Sequence, residues 1–70
     1  MKQSVIKTTR FVQLTSFHNK KPIYLNIDMI GGIIQDDDHT LIKHLTHNNG
    51  GFKVMEDAEE VLDLINELNN

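Results

Sequence analysis

The feature that most constrains this chain is a single apolar stripe near its C-terminal end. Ala58, Val61, Leu62, Ile65 and Leu68 recur at helical spacing, which predicts one amphipathic helix. Asp57 precedes the stripe and Glu60 follows three residues later, a capping-box pattern with Asp in place of Ser or Thr. Glu56, Asp57, Glu59 and Glu60 suit the positive end of a helix dipole. No Lys or Arg follows Lys53, so the negative end has no partner within the helix itself. A lone helix cannot bury its own stripe, so the rest of the chain must supply a surface for it.

Residues 10–55 read as that surface. In Arg10–Phe17, Val12 and Leu14 alternate with Gln13 and Thr15, the pattern of a half-buried strand. The polar break His18-Asn19-Lys20-Lys21 and Pro22 lead into Ile23-Tyr24-Leu25-Asn26, which predicts a β-hairpin with a four-residue loop. Asn26 and Asp28 suit a tight turn. Strands are then expected at Ile30–Gln35, Thr40–Thr46 and Phe52–Met55, separated by Asp36–His39 and His47–Gly51. Two glycines inside the first of these, Gly31 and Gly32, signal a bulge or a close backbone approach. Asn49-Gly50 is a hairpin-turn signal. The expected fold is therefore α+β: a small antiparallel sheet of four or five strands, a meander, with one C-terminal amphipathic helix. Residues 1–70 form one domain, with 1–9 as a candidate N-terminal arm.

At 70 residues the core is small, and chains of this size commonly need a staple. Without cysteine neither disulfides nor thiolate metal sites can serve, so self-association is the expected one. Charge is unevenly placed. Lys2, Lys7, Arg10, Lys20 and Lys21 fall before Pro22 with no acid among them, while all ten acids come later beside only Lys43 and Lys53. Such polarity suits contact between copies. The expectation is a symmetric homo-oligomer, a dimer first. Val5, Ile6, Lys7 and Arg10 of its arm would meet a second subunit, near acids such as Glu59, Glu60, Asp63 and Glu67. The cations are too few, and recognised motifs too absent, for a sequence-specific nucleic-acid reader. No run approaches the length of a membrane span and the N-terminus has no apolar leader region, so a cytoplasmic protein is expected.

Chemistry is harder to find. His18, His39, His44 and His47 are the only neutral metal-ligand candidates. In an extended strand His44 and His47 point to opposite faces, and zinc needs three or four convergent ligands. Asp36-Asp37-Asp38 lacks the alternating spacing of a calcium loop and reads as a solvated turn. Gly31-Gly32 and Gly50-Gly51 lack phosphate-loop spacing. Ser4 and Ser16 have no glycine-flanked elbow. A chain of this size is also a poor host for an enclosed substrate cavity of ~300 Å³ or more. A non-enzyme with no cofactor is expected.

Two stretches carry a family likeness. Thr15-Ser16-Phe17-His18-Asn19-Lys20-Lys21 with Ile23–Ile30 resembles the opening of the FlbD/SwrD family of small flagellar and swarming-motility proteins. Thr40, Leu41, Leu45-Thr46, Asn49-Gly50, Phe52, Val54 and Glu56–Val61 resemble its later part. The likeness spans about residues 10–66. It implies a small non-enzymatic binding or regulatory protein and no catalytic residues. The competing expectation is a phage-encoded inhibitor or sponge, which captures a host protein or a small signalling nucleotide at a subunit interface.

Overall fold

The computed structural model describes residues 10–46 and 50–69. Five strands and one helix follow in order: β1 (Phe11–Thr15), β2 (Pro22–Asn26), β3 (Ile30–Gln35), β4 (Thr40–His44), β5 (Phe52–Val54) and α1 (Ala58–Asn69). A 3-10 turn, Ile27–Met29, joins β2 to β3. The chain is α+β, as its hydrophobic periods require.

The strands form two antiparallel sheets, β1–β2 and β3–β4–β5, where the sequence suggested one meander. The division falls at the β2–β3 connection. Asn26 caps the 3-10 turn by accepting a hydrogen bond from the Asp28 backbone N–H at 2.9 Å, and the turn redirects the chain before β3 can pair with β2. A short seam joins the two sheets. Ser16 bridges Val54, with Met55 N–H donating to the Thr15 carbonyl and Phe17 N–H to the Lys53 carbonyl.

Glu56 completes that seam. Its carboxylate accepts from the Thr15 backbone N–H at 2.9 Å and from the Thr15 hydroxyl at 2.8 Å. The helix begins at Ala58, so Glu56 is no first-turn acid. It satisfies a β1 amide beyond the reach of β5. Asp57 caps the helix as its spacing suggested, accepting from Glu60 N–H at 2.8 Å. A second cap was not foreseen: the Gln35 side-chain oxygen at the end of β3 accepts from Ala58 N–H at 2.7 Å.

Alternation places the core. Val12, Leu14 and Leu25 from the hairpin meet Ile27, Ile42, Val54 and Val61 in one buried cluster. Burying an aliphatic side chain of this kind stabilises by roughly 1.5–3 kcal/mol, so seven form a thin core. Ile23, Ile30, Ile33, Phe52, Leu64, Ile65 and Leu68 pack at its margin. The bulge expected from Gly31-Gly32 is present: pairing with β4 slips between Ile30 and Gly32. A β-carbon on Gly31 would lie 2.9 Å from the Leu45 side chain. Strand β4 ends at His44, two residues earlier than expected, and β5 ends at Val54, one residue earlier.

Candidate binding surfaces

Register sets the first surface. Phe11 stands opposite Asn26 and Gln13 opposite Tyr24, while Val12 faces Leu25 and Leu14 faces Ile23. Inward positions are buried, so Phe11, Gln13 and Tyr24 share the outer face. Phe11 is 47% exposed and Tyr24 59%. They are diagonal neighbours, within reach for aromatic side chains. Phe11 also edges an open groove of about 250 Å³ where β1 meets the helix, lined by Val12, Gln13, Leu64, Glu67 and Leu68.

The second surface lies between β3 and α1. An open groove of about 430 Å³ is lined by Ile27, Ile30, Gly31, Gly32, Ile33, Leu62 and Ile65. Every side chain there is aliphatic, so it offers contact area and no proton donor or base.

Among the described residues the ion pairs lie elsewhere, at the turns. Arg10 donates two hydrogen bonds to Asp28, at 2.9 and 2.7 Å, in fork-to-carboxylate geometry. That contact holds the Asp28 carboxyl below the usual carboxylate range, the hydrogen bond being the main cause, and raises the Arg10 guanidinium further. Arg10 also reaches the Asn69 side chain at 3.5 Å, so a cation from the other end of the chain stands at the helix C-terminus, the end that its own sequence left bare.

His39 lies 2.7 Å from Asp38 and 3.7 Å from Asp36 and packs on Phe17, ring centroids 5.3 Å apart. The hydrogen bond to His39 is the main cause of a lowered Asp38 carboxyl. His44 packs edge-on against Phe52 at 5.6 Å and hydrogen-bonds Thr46 at 2.8 Å. Both rings are half-buried and packed within the fold. Among the described residues no group of three or more His, Asp or Glu is placed to hold a metal ion. His47 lies outside the described residues.

Of the four residues expected at a subunit interface, Arg10 is engaged within its own chain by Asp28. Val5, Ile6 and Lys7 lie outside the described residues. The aromatic pair Phe11 and Tyr24 was missed, although strict alternation in both strands put them on the wet face. Among the described residues no helix is long and apolar enough to cross a membrane. Comparison with protein-family models, curated proteins and solved structures finds no match to this chain.

Proposed function

We propose that this chain is a small non-enzymatic binding and regulatory protein of the cytoplasm, acting by contact in the manner its FlbD/SwrD-like sequence suggests. One observation carries the reading: Phe11 and Tyr24, two of only four aromatics, stand exposed side by side on the outer hairpin face. Exposed aromatics supply much of the energy at protein interfaces, whereas general acid–base chemistry needs titratable groups converging on a pocket. The described grooves offer contact area with one carboxylate, Glu67, between them.

A homo-oligomer remains the proposed staple for so thin a core. Light scattering at micromolar concentration decides it, and a mass of one chain overturns it. The alternative, a sponge for a signalling nucleotide, draws little from the described residues. Neither groove is lined by a cation for phosphates. A thermal-shift panel of nucleotides tests that alternative, with no shift expected.

The main reading is tested by affinity capture with the full chain and a folded Phe11→Ser, Tyr24→Ser double variant. A protein retained by the first and lost by the second supports it. Equal capture by both removes the hairpin face from the proposal, and turnover of any captured ligand overturns the non-enzymatic reading.

A further inference from the structure

The face that carries Phe11 and Tyr24 continues onto the helix. Phe11 and Gln13 of β1 meet Leu64 and Glu67 of α1 in one groove, and Val12 and Leu68 add to its apolar lining. Glu67 gives that groove a carboxylate, and the helix repeats it. Glu60 lies two turns before Glu67 on the same row, with Asp63 between them. All three are exposed. Leu62 and Ile65, which line the groove beside β3, fall on the opposite flank of the helix. The acid row therefore borders the aromatic groove and not the aliphatic one.

Among the described residues no cation lies within ion-pair distance of these carboxylates. The described ion pairs are those of Arg10 with Asp28 and of His39 with Asp36 and Asp38. Arg10 reaches the helix at Asn69, at 3.5 Å, and its fork is taken by Asp28. Like charges at this helical spacing repel one another, so a cation brought from outside gains from all of them. The aromatic side of the groove has the same preference. Ring faces attract cations, and arginine suits the pair of features best, because a planar guanidinium stacks on a ring while its fork meets a carboxylate. Phosphates and acidic peptides are repelled. The aliphatic lining adds a second requirement, an apolar side chain next to the cation, which a bare polyamine does not meet.

We infer that this face binds a basic segment of a partner protein: an arginine lies against the Phe11 ring with its guanidinium turned to Glu67, and an adjacent aliphatic side chain sets against Leu64 and Leu68. The inference rests on the hairpin-face reading and adds the partner's chemistry to it. Exposed carboxylates contribute little apiece. Glu60 and Asp63 therefore steer the segment in, while the ring contact and the covered aliphatic group hold it. Affinity should fall as salt rises.

The test starts from a displayed library of random peptides selected on the full chain. Enrichment of arginine beside an aliphatic residue is expected; an acidic or neutral consensus, or no enrichment, overturns the inference. The enriched peptide is then titrated into the isotope-labelled full chain and followed by NMR. Amide shifts should saturate at Phe11, Gln13, Tyr24, Leu64 and Glu67. Replacing the peptide's arginine by citrulline keeps the shape and removes the charge, which should weaken binding about tenfold. A Glu60→Gln, Glu67→Gln variant should also bind more weakly, with unchanged β3 and β4 shifts showing that it is folded. If that variant does not fold, the citrulline comparison decides alone. Equal affinity for the arginine and citrulline forms overturns the inference, as do shifts placed elsewhere. So do concentration-dependent shifts at the same amides without peptide, which a second copy on this face would give. Equal binding of the two forms at Phe11 and Tyr24 removes only the basic partner and leaves the hairpin-face reading standing. Peptide binding untouched by Phe11→Ser, Tyr24→Ser removes both.

Discussion

The two sheets are built from similar β-rich sequence, yet they finish their outer edges in opposite ways. Edge strand β2 opens with Pro22, which cannot donate to a ladder, and follows Lys20 and Lys21 in the loop. Proline and lysine at an edge discourage added strands. Lys20 holds φ at 64°, a conformation most side chains avoid. Its ammonium bonds the Phe17 carbonyl at 2.6 Å and lies 4.7 Å from the Phe17 ring centroid. Edge strand β3 has none of these devices. It has a bulge, two glycines and an aliphatic groove. The hairpin is finished by its own loop, whereas the three-stranded sheet depends on glycine conformations at its β4–β5 connection.

The largest effect should come from that glycine dependence. Gly51 leads into β5 at φ +117°, and a β-carbon there would overlap the Ile42 backbone carbonyl of β4. Gly51→Ala should destabilise by on the order of 3 kcal/mol, from backbone strain and the clash together. Gly50 has φ +98° but open space around it, so Gly50→Ala should lose only about 1 kcal/mol. Urea melts of both variants give the comparison. Equal losses would mean that β5 does not sit as closely on β4 as the fold requires.

Next in size is the seam between the two regions. Glu56→Ala leaves the half-buried Thr15 N–H and hydroxyl without their acceptor, a loss of about 1–3 kcal/mol. Glu56→Gln keeps one acceptor oxygen and should lose less. If the sheets melt together in the wild type but separately in Glu56→Ala, the seam couples them. A melt unchanged by either substitution would show that the Ser16–Val54 bridge suffices.

Much of the element order was legible in the sequence, because each element rests on a local period or a local turn. Alternation of Val12 and Leu14 placed β1, the stripe from Ala58 to Leu68 placed α1, and Asp57 marked its cap. The glycine pair marked the β3 bulge. Contacts across long sequence separations were not legible. Glu56 looked like a first-turn acid because its partner, Thr15, lies 41 residues away. Gln35 capping Ala58 and Arg10 gripping Asp28 have the same character. No short-range pattern records which distant carboxylate a cation meets. For the same reason the break into two sheets was hidden, since it arises from how the Ile27–Met29 turn redirects the chain.

The smallest predicted effect concerns acid, and it compares the junction of the two regions with a turn inside one of them. Asp28 ties Arg10 to the β2–β3 junction, and its carboxyl is lowered by that contact. Asp38 sits in the β3–β4 turn and is lowered chiefly by the hydrogen bond to His39. A carboxyl lower in the folded than in the unfolded chain binds fewer protons when folded. Its stabilisation is therefore present above the unfolded value, about 3.9 for Asp, and is lost as pH falls through the folded one. Both groups are exposed, so salt should weaken both contributions. Asp28→Asn should flatten the fall in Tm between about pH 5 and pH 2.5, and Asp38→Asn should flatten it independently, since the two carboxyls have different partners. The Asp28 effect should be the larger, because a two-bond Arg fork orients its carboxylate more firmly than one imidazole bond does. Thermal melts across that range at low and high salt measure both. An Asp28→Asn profile parallel to the wild type would show that the Arg10 grip does not hold the junction in solution.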